Sequence, residues 1–151
     1  MCHGPAGTAR LFYRLYEITH DDSWSEWVER SARAVRSSGV PEKQTPGFWN
    51  NVSQCCGSAG VLDFFLSLYR TSGDPEYLAY AQRVAANTLQ RATEDDRGLR
   101  WIQAEHRVQP ELLIAQTGFM QGAAGIGSAL LRLHLVERGK DVVIRLPDSP
   151  W

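Results

Sequence analysis

No stretch of 18 apolar residues occurs in this chain of 151 residues, so nothing in it predicts a membrane-spanning helix. Basic residues are not in excess either: 16 Lys and Arg face 17 Asp and Glu, for a net charge of −1. Without a basic stripe there is no electrostatic footprint for nucleic acid. Cysteine is scarce, with three residues of which two are adjacent. That number is odd and too small for a disulfide framework. It suits a reducing compartment, so a cytoplasmic location is expected. What is present, 43% hydrophobic and 22% charged residues, is ordinary for a globular domain with a single core.

Three glycine-rich segments share the core Gly-x-Ala-Gly. They are Cys2-His3-Gly4-Pro5-Ala6-Gly7, Cys55-Cys56-Gly57-Ser58-Ala59-Gly60 and Gln121-Gly122-Ala123-Ala124-Gly125. Displaced by 53 residues, the sequence aligns with itself without a gap, and ten of the 32 positions from Cys2 to Arg33 are identical. Average composition would give about two. A third copy starts 65 residues after the second, setting Gly122, Ala124, Gly125, Leu130 and Leu133 on Gly57, Ala59, Gly60, Phe65 and Leu68. A fixed period marks a repeat architecture, with copies at about 2–39, 55–92 and 118–138.

Each copy reads as a helical hairpin, which makes the fold class all-α. The first helix starts at the motif and runs to about Thr19, Ser72 or Glu137. Its apolar residues (Leu11, Phe12, Leu15, Tyr16; Phe64, Phe65, Leu68, Tyr69) recur at helical spacing. The second helix starts after Asp22-Ser23 or Asp74-Pro75, where Asp caps free N–H groups and Pro75 fits the first turn. Trp24, Trp27 and Val28, and Tyr77, Leu78 and Ala81, mark its buried stripe. Gly39 and Gly73 are stop signals. Long polar connections cover 40–54 and 93–117, the latter with a short strand around 98–102. The tail 142–146 has strand propensity.

All three cysteines lie just before motif glycines, so the repeat would bring them together in space. Cys2, Cys55 and Cys56 then form a candidate thiolate metal site, zinc being the ion that favours such donors. Helix N-termini carry partial positive charge, which lowers a thiol pKa. The alternative is that the thiols pack as small hydrophobes, and the spacing alone matches no common zinc pattern. His3, in register with Cys56, is a ligand, a polar group lining the site, or a cap. His20, His106 and His134 read as surface or packing residues. Glu17 and Asp63 read as solvated or ion-paired. Trp49-Asn50-Asn51 lines a pocket or packs.

The chain resembles the lanthionine synthetase C-like cyclase family. The matching motifs are Cys2-His3-Gly4-Pro5-Ala6-Gly7, Cys55-Cys56-Gly57-Ser58-Ala59-Gly60 and Gly118-Phe119-Met120-Gln121-Gly122-Ala123-Ala124-Gly125-Ile126-Gly127, in the family's order and over nearly the whole chain. The resemblance implies an α/α toroid of inner and outer helices, with Gly4, Gly7, Gly57, Gly60, Gly122 and Gly125 at inner helix starts. It implies a zinc ion held by Cys2 and Cys55, with Cys56 where the family usually has histidine, as in its Cys-Cys-Gly subgroup. It implies thioether ring closure: a peptide cysteine thiolate adds to a dehydroalanine or dehydrobutyrine of a dehydrated precursor peptide.

The family's acid/base residues lie mainly upstream of the first motif, and only His3 carries over here. The expectation is therefore that residues 1–151 are the carboxy-terminal part of a toroid whose upstream helices complete it. The intact parent would be the enzyme and this piece weak or inactive alone. A second functional expectation is a non-enzymatic zinc-thiolate module that binds thiols or peptides, glutathione for example.

Overall fold

Two aspartates in register begin the second helix of each hairpin, and two left-handed residues in register end the first. The computed structural model describes residues 4–43, 51–104, 108–140 and 149–151. The first hairpin is α1 (Pro5–Thr19) and α2 (Asp22–Ser37), and the second is α3 (Ser58–Ser72) and α4 (Pro75–Gln90). Asp21 Oδ1 accepts the Ser23 N–H at 2.9 Å, and Asp74 Oδ1 accepts the Glu76 N–H at 2.9 Å. The cap of α2 is thus Asp21, one residue earlier than the expected Asp22-Ser23, which leaves Asp22 as an acidic first-turn residue. Gly73 ends α3 at φ 72°, and His20, 53 positions earlier, ends α1 at φ 54°. Their N–H groups return to Tyr69 O and Tyr16 O, each at 2.8 Å. Gly39 follows α2 at φ 85°. The last helix, α5 (Ala123–Glu137), completes the set. All three first helices end where the periodicity predicts.

The connection after α4 is more ordered than a loop with one strand. β1 (Thr93–Asp95) and β2 (Gly98–Arg100) form an antiparallel hairpin, and β3 (Ile102–Ala104) pairs antiparallel with β4 (Leu113–Ala115). The expected strand over 98–102 is divided at Trp101. Its side chain is buried, and the indole N–H donates to Thr88 O of α4 at 2.8 Å. A buried indole needs that partner, and meeting it turns the chain from one ladder to the next.

Helix α3 is the centre of the core. It packs on α4 and is flanked by α1 and α5. It buries nine residues, among them Leu62, Phe64, Phe65, Leu66 and Leu68. The Phe65 ring lies 4.2 Å from Tyr80 and 5.8 Å from Tyr77. Full burial of such side chains contributes about 1.5–3 kcal/mol each. The buried face of α1 is far smaller, only Ala6 and Ala9. Leu11, expected on the apolar stripe, is 58% exposed. The stripe of α2 is displaced from the expected one: Val28, Ser31, Ala32 and Val35 are buried, whereas Trp27 is 45% exposed. The main neighbour of α2 is α1, so Trp24 stacks on Phe12 at 6.0 Å and Trp27 lies tilted against it at 5.7 Å instead of entering a two-sided core. Arg30 lies over the outer face of Trp27. Two contacts tie α2 to α4: Arg36 with Glu76 at 3.0 Å, and the Tyr77 hydroxyl donating to Glu29 at 2.5 Å. Burial and that carboxylate push the Tyr77 phenol well above its ordinary pKa. Trp151 is buried against Tyr13 and Phe64. The tail 142–146, His106 and Trp49-Asn50 lie outside the described residues. Among the described residues, no helix is long and apolar enough to cross a membrane.

The paired caps give a stability prediction. His20→Gly relieves a left-handed backbone that disfavours a Cβ and raises unfolding free energy by about 0.5–1 kcal/mol. Gly73→Ala lowers it by about 1 kcal/mol. Urea titration of both variants checks the pair.

Candidate metal centre

Two of the three motif turns are built alike, and the likeness begins in the backbone. Ahead of α3, the Ser58 N–H donates to Asn51 O (3.2 Å), Ala59 N–H to Val52 O (3.1 Å) and Gly57 N–H to Ser53 O (3.0 Å). Ahead of α5, the positions 65 later repeat this: Ala123 N–H to Gln116 O (2.9 Å), Ala124 N–H to Thr117 O (3.2 Å) and Gly122 N–H to Gly118 O (2.8 Å). Gly57 stands at φ −129°, ψ −164° and Gly122 at φ −130°, ψ −164°. Neither helix has a side-chain cap. Carbonyls of the incoming chain take the helix N–H groups instead.

This return path runs where a side chain would be. A Cβ on Gly57 would overlap the Asn51 carbonyl, one on Gly122 the Gln116 carbonyl, and one on Gly125 the Phe119 carbonyl. Gly60 is buried in the first turn of α3, and its N–H faces Ser53 O at 3.4 Å. At the first motif, Gly4 caps α1 in extended backbone, accepts from the Gly7 N–H at 2.9 Å, and has open space around its Cβ position. Pro5 opens the helix, as expected.

Cys55 and Cys56 occupy the turn just ahead of Gly57. Both are half-buried thiols, and their sulfurs are 3.4 Å apart. Two sulfurs on one tetrahedral ion with bonds of about 2.3 Å would stand about 3.8 Å apart. The pair therefore fits a shared ion with little adjustment. The Cys55 N–H donates to Met120 O at 2.8 Å, and the Cys56 N–H reaches Ser53 Oγ at 3.4 Å. Met120 is the residue in register with Cys55, so the second and third turns touch at equivalent positions. Buried polar atoms gather here as well. Asn51 Nδ2, Gln54 Oε1 and Gln121 Oε1 meet no hydrogen-bond partner among the described residues. Cys2 and His3 lie outside the described residues. Among the described residues, no group of three or more His, Cys, Asp or Glu is gathered to hold a metal.

The model of the lanthionine synthetase C-like proteins matches residues 2–140. The chain belongs to that family. Among curated proteins none matches it.

In this lanthionine synthetase C-like chain the remaining polar candidates have structural duties. Asp63 is paired with Arg132 of α5, both side chains largely buried. Glu17 pairs with Arg14 at 2.9 Å, and His20 and His134 are exposed. Asn51 is buried in the turn, where its Oδ1 accepts the Ser53 N–H at 2.7 Å. Sequence reasoning missed Gln103 on β3. Its Oε1 accepts the Val52 N–H at 2.8 Å, and its Nε2 donates to Gln121 O at 2.6 Å. One buried amide thus spans both turns. The only sequence signal for it was a polar residue within an apolar run.

The glycines separate on substitution. Gly125→Ala, colliding with backbone, lowers stability by about 3 kcal/mol or more. Gly127→Ala, with nothing within 4 Å of its Cβ position, raises it by up to about 1 kcal/mol through helix propensity. Thermal and urea unfolding of the two variants distinguish them.

Proposed function

We propose that this chain carries the zinc-thiolate part of a lanthionine-type cyclase, with Cys2, Cys55 and Cys56 as the residues that hold the ion. The observation that carries the reading is the pair of half-buried sulfurs 3.4 Å apart at the mouth of α3, in a chain matched to the family over residues 2–140. Zinc, when bound, supplies Lewis acidity that lowers the pKa of a peptide thiol. The chain's own groups prepare the site. The dipole of α3 favours thiolate at Cys55 and Cys56, and the tie from the Cys55 N–H to Met120 O holds the turn still. His3 stands in register with Cys56 in the sequence, which is the ground for proposing it as a pocket or acid/base group.

The substrate is a dehydrated precursor peptide. The sulfur of its cysteine forms a bond to the β-carbon of dehydroalanine or dehydrobutyrine, the alkene electrons move to the α-carbon, and a proton arrives there. His3 is the group of this chain suited to deliver that proton. Holding thiolate and alkene together makes the addition effectively unimolecular. The row α1, α3, α5, with α2 and α4 packed on their hairpin partners, supports a sector of an α/α toroid with motif turns at inner helix starts. The upstream part of that toroid would complete the acid/base set in a cytoplasmic parent enzyme. A second reading is favoured by the commitment of Asp63 to Arg132, which withdraws a carboxyl of a motif helix from proton transfer. In it the thiolate site binds thiols such as glutathione without closing rings.

Elemental analysis of purified protein is expected to give about one zinc per chain, lost in Cys2→Ala and Cys55→Ala. No zinc in the unaltered chain would overturn the metal reading. Cys56→His is expected to keep the metal and slow alkylation of a bound thiol several-fold, because the site then carries one negative charge fewer. With a dehydrated peptide, counting alkylatable thiols by mass spectrometry separates ring closure from mere binding.

A further inference from the structure

We propose that Gln103 is a positioning residue whose side-chain amide sets the Cys55–Cys56 turn against the Gly122 turn and so presents the two thiols as a pair. The inference rests on the reading of those thiols as metal donors. Gln103 lies outside all three motifs, yet both ends of its amide are engaged, one on each turn. It is 7% exposed; its bond to Val52 is buried and its bond to Gln121 is partly buried.

The platform under Gln103 is tied to its neighbours. Strand β3 is held to β4, with Gln103 opposite Ile114, and β4 leads directly into the Gln116–Thr117 carbonyls that cap α5. Next to β3, Trp101 is anchored on Thr88 of α4. From this platform the amide reaches Val52, whose own carbonyl caps α3 through Ala59. Only one other described bond joins the turns at the thiols, that from the Cys55 N–H to Met120 O. The two ties bracket the dithiol, one at Cys55 itself and one at the residue that leads into the turn.

The bridge needs a group that both accepts and donates. Val52 offers a donor and Gln121 an acceptor, so the bridging group must accept at one atom and donate at the other. An ionised carboxylate only accepts, and a thioether of the same length accepts only weakly and cannot donate. A neutral carboxylic acid does both.

The test uses the 151-residue chain with Gln103→Met and Gln103→Glu, read by amide hydrogen exchange and by Co²⁺ titration. In Gln103→Met, protection at Val52 and Cys55 is expected to fall about tenfold or more while α4 amides keep theirs. Co²⁺ affinity is expected to weaken about tenfold, with a changed thiolate-to-cobalt charge-transfer band. In Gln103→Glu, protection at Cys55 is expected to return as pH falls and the introduced carboxyl takes up a proton. Burial places that midpoint above the ordinary value of about 4.3. Unchanged protection at Cys55 in Gln103→Met, equal loss throughout α4, or a flat pH response in Gln103→Glu would each overturn the role of Gln103. Equal Co²⁺ affinity and spectrum in Gln103→Met and the unaltered chain would do the same. Absence of Co²⁺ binding by the unaltered chain would instead overturn the metal reading, while the exchange data still decide whether Gln103 sets the turn.

Discussion

Everything around the thiols depends on a backbone that folds back over its own helix start. The first N–H groups of α3 and α5 are orphans of helical geometry, and the incoming chain satisfies them with its carbonyls. That approach is closer than any side chain at Gly57 or Gly122 would permit. Glycine therefore acts here by leaving volume vacant, since both residues hold extended backbone that other residues also adopt. Given the path, the residues just before each glycine are placed at the helix mouth. In the second turn those residues are Cys55 and Cys56.

A thiol pair in this place is in an unusual electrostatic position. The half-buried sulfurs are close enough to repel if both ionise without a cation, while the α3 dipole favours the negative charge. The two effects oppose each other until a cation arrives, after which they act together. The rest of the described polar network does not compete. Asp63 is committed to Arg132, Glu42 to Arg83, and Glu29 to Tyr77.

Much of this architecture was legible in the sequence. Apolar spacing gave the ends of α1, α3 and α5, and capping chemistry located the cap at Asp74 and the stop at Gly73. Repeat logic is local and covalent, so it survives without knowledge of neighbours. What depended on neighbours was not legible. Trp27 and Leu11 have the right spacing for a core, but α1 and α2 bury far less than α3 does. Trp101 broke a strand because a carbonyl of α4 stood ready for its indole. Gln103 was invisible for the same reason: its partners, Val52 and Gln121, lie 51 and 18 residues away. The departure of α2's cap from Asp22 to Asp21 reflects two adjacent carboxylates with equal claims, settled by the turn at His20.

The unequal burial of the hairpins has a consequence for how the molecule opens. The α1–α2 unit buries little beyond Ala6, Ala9 and one side of α2, whereas α3–α4 holds most of the hydrophobic interior. Partial unfolding should therefore begin at the amino-terminal pair and stop at the second. Any ion clasped jointly by the first and second motifs would fasten the loose unit to the firm one. Its arrival would then be felt in the stability of the amino-terminal pair as well as at the site itself.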